Sequence, residues 1–186
     1  MQGKHQMKDL VRTADLSPED FFLVLGLAER VKEDRGRHHK DVRGEAVVLY
    51  FDTPSTRTRQ SFEAAVTRMG GLPIAIEPGE LEMGSGETIE DTAGVLSRFA
   101  RAIVHRTSSD DDLRLMAGAA GVPVINGMSD LHHPCQSLAD LMTVESALPR
   151  AGPGGVRGDR EQRAQQPAGG LRAHRRRPGG GDTGSA

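Results

Sequence analysis

Ala46-Val47-Val48-Leu49-Tyr50-Phe51 runs straight into Asp52-Thr53-Pro54-Ser55-Thr56-Arg57-Thr58-Arg59. The first six residues form a short continuous apolar run. Its length and β-branching predict a strand buried on both faces, as in a parallel sheet. Pro54 and Ser55 end it. A helical pattern follows, with Phe62, Ala65, Val66 and Met69 on one face, closing at Gly70-Gly71. A buried strand feeding a helix is the opening half of a strand–helix–strand unit.

The same alternation extends outward. Leu72 to Ile76, Ala102 to Val104 and Val122 to Ile125 read as three more short strands. Glu77 to Gly86 is a Gly-rich loop. Helices are predicted over Glu87 to Ala100, with Ile89, Ala93, Leu96 and Phe99 apolar, and from Asp110 onward, with Leu113, Leu115 and Met116 in its body. A last helix runs from about His133 to Val144. Before the first strand, Ser17 is a good N-cap, Pro18 suits the first helical position, and Glu19 and Asp20 favour the positive end of the dipole. Phe21, Leu25 and Ala28 then recur at helical spacing, widened by Phe22, Leu23 and Val24, with Gly36 as the stop. The expectation is an α/β fold: a four-stranded parallel sheet with helices on both faces.

Composition bounds the function classes. The chain has 186 residues, 36% of them apolar and 27% charged. No stretch approaches the roughly 18 consecutive apolar residues of a membrane span. Met1 to Leu10 is polar, so no secretory leader is expected. One cysteine, Cys135, gives neither an internal disulfide nor a zinc cluster. A cytoplasmic protein is expected.

The average conceals a break. Ala147 to Ala186 hold ten Gly, four Pro and eight Arg against three acids, a net of +5. With the whole chain at −2, residues 1–146 carry −7. The stretch has no Phe, Ile, Met, Tyr or Lys. It buries too little apolar surface to offset chain entropy and is expected to be disordered. The foldable domain is read as 1–146.

In a parallel sheet, ligands bind beyond the carboxyl ends of the strands. After the first strand, Ser55, Thr56, Arg57, Thr58 and Arg59 put hydroxyls, guanidiniums and free backbone N–H groups at a helix start. That combination suits a phosphate. The alternative is that Ser55 and Thr56 only cap the helix while both Arg face water. After the third strand stands His105-Arg106; Arg106 taken alone reads as a surface charge sooner than as a site residue. After the fourth come Asn126-Gly127 and then His132-His133-Pro134-Cys135-Gln136. His133 and Gln136, one helical turn apart, could hold a small polar carbonyl group; the alternative is a pair of exposed histidines. Asp110 to Asp112 read as a solvated helix start. Gly84-Ser85-Gly86 is too short for a dinucleotide fingerprint.

Together these segments resemble the aspartate/ornithine carbamoyltransferase family. The Ser-Thr-Arg-Thr-Arg turn with Ser61-Phe62-Glu63, and His133-Pro134-Cys135-Gln136 with Leu138-Ala139-Asp140, match its two signature motifs. Gly84 to Thr88 with Asp91-Thr92-Ala93 matches a third segment. The resemblance covers about residues 7 to 146. Asp15-Leu16-Ser17, Ile89 to Ala93, Val124 to Gly127 and the Cys-Gln form of the histidine motif lean to its ornithine branch; aspartate or putrescine carbamoyltransferases are the alternatives.

The resemblance implies the following roles. Ser55, Thr56, Arg57 and Thr58 cradle the phosphate of carbamoyl phosphate. Arg106 reaches phosphate and carbamoyl oxygen, and His133 and Gln136 hold the carbamoyl group. Arg57, Arg106 and His133 are the catalytic set. The ornithine δ-amine attacks the carbamoyl carbon and gives citrulline and phosphate, in arginine biosynthesis or ornithine metabolism. No metal or organic cofactor, no nucleic acid and no membrane is implied. Family members are homotrimers or larger, and the loop before Glu87, with Glu82, reaches a neighbouring subunit's site. Cys135 has no nucleophilic role.

Two departures accompany the resemblance. The loop carries Glu80, Glu82 and Ser85, where many relatives have Gln at the second position and a basic residue near the third. The family's second α/β domain, which binds the amino-acid substrate, is missing, and the Arg/Gly/Pro tail begins in its place. One codon choice for Asp159 to Pro167, read with its first nucleotide dropped, gives Thr-Gly-Ser-Asn-Val-Arg-Asn-Ser-Leu, which resembles the turn that opens that domain. A frameshift is expected, with weak or no activity in the chain as written. The remaining alternatives are a non-catalytic carbamoyl phosphate-binding module and a basic tail binding a polyanion through Arg175-Arg176-Arg177, without aromatics for base stacking.

Overall fold

Strand β1 (Ala46–Phe51) has five of its six residues buried, so both of its faces must be covered. The computed structural model describes residues 8–34, 36, 38–77, 79–80 and 86–147. Glu82, most of the Gly-rich loop and the stretch from 148 onward lie outside the described residues. The elements are α1 (Pro18–Glu33), β1, α2 (Thr56–Arg68), β2 (Leu72–Ile76), α3 (Ile89–Leu96), β3 (Ala102–Arg106), α4 (Asp110–Ala119), β4 (Val124–Met128) and α5 (Pro134–Ala147). The four strands form one parallel sheet in the order β2-β1-β3-β4. The expected fold class is the observed one.

Alternation along β1 divides the core into two layers. Val47, Leu49 and Phe51 pack with Val66 of α2 and Val104 of β3. Val48 and Tyr50 pack with Ala93 and Leu96 of α3 and Leu113 and Met116 of α4. Leu49, Ile103, Leu113 and Met116 are fully buried. Each such side chain contributes roughly 1.5–3 kcal/mol of apolar burial. Among the described residues, no helix is long and apolar enough to cross a membrane.

Several boundaries differ from those the sequence predicts. Strands β3 and β4 run on to Arg106 and Met128, so His105, Arg106, Asn126 and Gly127 lie within strands rather than after them. The apolar-run criterion stops at a polar residue, yet His105 and Asn126 stay buried because Asp52 and Val11 give them hydrogen-bond partners. Helix α3 begins at Ile89, capped by Thr88, and stops at Leu96. There the Ser97 hydroxyl donates to the Ala93 carbonyl and accepts from Gly121 N–H, and Phe99 is left exposed on the turn. Helix α1 ends at Glu33 and buries only Leu25; Phe22, which the periodicity placed on the core side, is 67% exposed. Ala65 is exposed too. Strand β2 is an edge, so Leu72 and Ile74 stay exposed. Pro134 opens α5, one residue later than expected.

The residues before α1 were not readable as structure. Leu10 bridges β4, its N–H donating to the Val124 carbonyl and its carbonyl accepting from Asn126 N–H, both at 2.9 Å. Lys8 Nζ donates to the Ala120 and Ala117 carbonyls at the end of α4.

Two glycines test the backbone. Gly70 (φ +83°) turns α2 into β2, and a Cβ there would stand 2.6 Å from the His39 carbonyl oxygen. Gly44 (φ +78°) has open space around it. Gly44→Ala should cost only the left-handed penalty, about 1–2 kcal/mol. Gly70→Ala should cost clearly more, read as a lower urea midpoint. Equal midpoints would refute the close approach.

Candidate functional site

The strand order sets the location. From β1 the chain crosses to β2 on one side, then passes back to β3 on the other. The C-terminal ends of β1 and β3 therefore flank a topological switch point, where such sheets leave a crevice. Asp52 N–H donates to the Arg106 carbonyl at 2.9 Å and ties the two ends together. Arg106 Nε donates to Thr53 Oγ1 at 3.1 Å. Burial pushes the Arg106 guanidinium down from its ordinary value. It keeps its charge, because guanidinium starts so high.

Ser55, Thr56, Arg57 and Thr58 stand at the start of α2, directly after β1. Ser17, Thr88 and Ser109 each accept a backbone N–H as side-chain caps of α1, α3 and α4. Ser55 makes no such bond. The capping alternative thus fails for Ser55, and the first-turn N–H groups of α2 are not covered by its hydroxyl. Thr56 and Arg57 are exposed; Ser55 and Thr58 are half-buried. Arg59, the second guanidinium of the turn, is taken by acids. It donates to Glu63 Oε1 at 2.8 Å and to Glu77 Oε1. A cavity of about 320 Å³ lies against Ser55, Thr56 and this Arg59–Glu63–Glu77 group. Arg57 and Thr58 do not line it.

His133 ends the loop from β4, and its carbonyl accepts the Ser137 N–H of α5. Its Nδ1 is buried with no protein partner. Burial, then the charge of Arg106, push the imidazole below its ordinary value, with Asp140 opposing. His133 and Arg106, distant in sequence, are therefore electrostatic neighbours. Gln136 is exposed, and its Nε2 donates to Asp140 Oδ1 at 2.8 Å along the helix. It does not converge with the others in this arrangement. Burial pushes the Cys135 thiol up to about 11, so it stays protonated at neutral pH. Among the described residues, no group of three or more His, Cys, Asp or Glu could hold a metal ion.

Beneath the crevice lies a polar cluster that sequence reading missed. His105 is fully buried, stacks on Tyr50 at 4.9 Å, and its Nε2 meets Asp52 Oδ2 at 3.1 Å. Burial pushes Asp52 up, but hydrogen bonds from His105, Tyr50 and Thr107 outweigh it and hold the carboxyl below its usual range. Asn126, Ser129 and Asp110 were missed as well. Asn126-Gly127 reads as following the fourth strand, and only the strand pairing shows Asn126 inside the sheet.

Comparison with known proteins adds relatives. Residues 8–146 match the model of the aspartate/ornithine carbamoyltransferase, carbamoyl-P binding domain. The ornithine carbamoyltransferase of Parafrankia sp. (strain EAN1pec) is 48% identical over 147 residues, covering 77% of this chain and 45% of that protein. The ornithine carbamoyltransferase of Acidothermus cellulolyticus is 46% identical over 143 residues, with the same coverage. The chain thus spans a little under half the length of these relatives. Among solved structures, the ornithine carbamoyltransferase of Thermus thermophilus superposes with a TM-score of 0.72 at 34% identity, over 76% of this chain and 49% of that one. The enzyme of the same name from Pyrococcus furiosus gives 0.71 at 41%, over 75% and 45%.

The state of His133 can be measured. In an NMR titration of the full chain it should titrate below 6.5, the value expected in the unfolded chain. The sign follows from proton binding: a depressed group favours the folded state above the unfolded value, and that contribution is lost as pH falls through the folded value. His133→Gln should remove that part of the acid slope. A His133 value at or above 6.5 would contradict its burial beside Arg106.

Proposed function

The chain belongs to the aspartate/ornithine carbamoyltransferase family, and on that premise we propose that residues 8–146 bind carbamoyl phosphate for transfer to the δ-amine of ornithine. The observation that carries this reading is His133 Nδ1, a buried polar atom without a protein partner beside a half-buried arginine. Buried polar atoms are nearly always hydrogen-bonded, so this one calls for a partner, which the proposal supplies as the carbamoyl group. The uncapped start of α2 at the same sheet edge supports it.

In this proposal the phosphate sits on the first-turn N–H groups of α2, with Ser55, Thr56, Arg57 and Thr58 around it. Arg106 spans phosphate and carbamoyl oxygen. His133, neutral at pH 7, hydrogen-bonds the carbamoyl group, and Gln136 joins it by leaving Asp140. The amine forms a C–N bond, the C–O bond to phosphate breaks, and the amine's proton passes to the departing phosphate. Negative charge develops on the carbamoyl oxygen and then on phosphate. Arg57 and Arg106 stand where that charge appears, which is where fixed positive groups accelerate such a step.

The amino-acid half of the site lies in the part of the relatives that this chain does not span. We read residues 147–186 as a stretch translated out of frame, on the composition break at Ala147. The same reading makes the functional form a cytoplasmic homotrimer in arginine biosynthesis or ornithine metabolism. Glu82 would sit in its inter-subunit loop.

Calorimetry of the full chain with phosphonoacetamide, a stable analogue of carbamoyl phosphate, tests the binding step. Arg57→Ala and Arg106→Ala should each weaken binding at least about tenfold, the scale of one charge-assisted hydrogen bond. Unchanged affinity in both would sink the assignment. Sequencing across the codons for Val144 to Ala186 tests the frame. If a one-base correction opens a second α/β domain, the corrected enzyme should make citrulline from ornithine. Carbamoyl-aspartate or carbamoyl-putrescine as product would overturn the specificity, and an unaltered frame would overturn the out-of-frame reading.

A further inference from the structure

The loop from β4 to α5 delivers His133, and a buried relay holds it. Asn126 is fully buried and Ser129 is 2% exposed. Asn126 Nδ2 has two protons. One goes to the Val11 carbonyl at 2.9 Å and one to Ser129 Oγ at 3.0 Å, with the His132 carbonyl a longer neighbour at 3.3 Å. The Ser129 hydroxyl passes its own proton to Asp110 Oδ1 at 2.6 Å. Its other close acceptor, the His132 carbonyl, is at 3.3 Å. The second Asp110 oxygen accepts the Leu131 N–H at 3.2 Å, and Ser129 N–H donates to the His132 carbonyl at 2.8 Å. Every donor in the relay has an acceptor, and it ends on a carboxylate. The Ser129 bond is the chief cause holding Asp110 below the usual carboxylate range.

The relay also holds a strained residue. Met128 is the one non-glycine at positive φ among the described residues, at 132°. Its N–H donates to Asn126 Oδ1 at 2.8 Å, and its carbonyl accepts from Thr107 N–H at 3.1 Å. Such a conformation persists only where the surroundings over-determine it. Four segments meet here: Val11 before α1, Thr107 after β3, Asp110 at the start of α4, and the loop itself. The residue that follows the His132 carbonyl is His133.

We propose that Asn126, Ser129 and Asp110 are positioning residues that set the depth and direction of the His133 imidazole beside Arg106. This rests on the reading of His133 as a ligand group. The competing role is a plain staple between α4 and β4, which would affect stability alone.

The test uses the full chain and two variants, Ser129→Ala and Asp110→Asn. Three quantities are read: the His133 titration by NMR, phosphonoacetamide affinity, and the melting temperature. Ser129→Ala leaves Asp110 and Asn126 each short of a partner. The His133 value should then move up toward 6.5, and affinity should fall about tenfold when measured well below the melting temperature. Asp110→Asn keeps an acceptor for Ser129 but puts an amide opposite Leu131 N–H, so an intermediate shift is expected. If only the melting temperature falls, with His133 titration and affinity unchanged in both variants, the relay is a staple and the proposal fails. If the parent chain does not bind phosphonoacetamide, the binding reading fails, and the His133 titration in the two variants still decides the positioning role.

Discussion

The rest of the structure depends on β1 being flanked on both sides within the sheet. Buried on both faces, β1 needs α2 on one side and α3 with α4 on the other. Its neighbours β2 and β3 lie on opposite sides of it, and the chain leaves β1 and β3 toward different layers. That divergence opens the crevice. The Asp52 N–H to Arg106 carbonyl bond then fixes how far the two strand ends can separate. Arg106, Thr53 and the start of α2 take their positions from that bond. A backbone constraint of this kind is insensitive to side-chain identity, which leaves the surrounding positions free to carry chemistry.

Charge near the crevice is arranged by pairing off acids. Arg59 is held by Glu63 and Glu77, Asp52 by His105, and Asp110 by Ser129 and the Leu131 N–H. What remains at the edge is Arg57, Arg106 and a half-buried imidazole that favours its neutral form. On the proposed reading a bound dianion would meet the Arg57 and Arg106 guanidiniums, with the nearby Glu63 and Glu77 already held by Arg59. The same pairing separates the two arginines of the Ser-Thr-Arg-Thr-Arg turn: one guanidinium organises α2 and the end of β2, while the other faces solvent. Spacing alone could not distinguish them, because the partner Glu77 is eighteen residues from Arg59 in sequence.

The parallel sheet was legible because β1, β2 and the helices between strands follow apolar periodicity closely. β1 and β2 have the expected bounds, and Ser17 caps α1 as its sequence implies. Legibility failed where polar residues are buried. His105 and Asn126 looked like strand ends, since periodicity assigns polar groups to water, yet pairing with Asp52 and Val11 lets the strands continue. Phe22 and Phe99 failed in the opposite direction: periodicity places them inward, but α3 stops before Phe99 and α1 sinks only at Leu25. Asp110 was read as a solvated helix start because its partner lies nineteen residues away across the sheet. Resemblance named Arg106 and His133 as site residues; that they are electrostatic neighbours needed coordinates.

On the proposed reading, binding and turnover have different physical requirements, and this chain meets them unequally. Anion binding needs N–H groups and guanidiniums, and on this reading α2 and β3 supply them from one sheet edge. Carbamoyl transfer also needs an amine held close to one face of the planar carbamoyl carbon. Orientation of that kind is worth roughly 7–11 kcal/mol in well-aligned reactions. Groups that bind only the phosphate cannot substitute for it, because they do not hold the amine. Affinity in the binding half is therefore separable from rate. The network around His133 belongs to that binding half: on the same reading it orders a ligand group before any substrate arrives, and the energy for that order comes from folding rather than from binding.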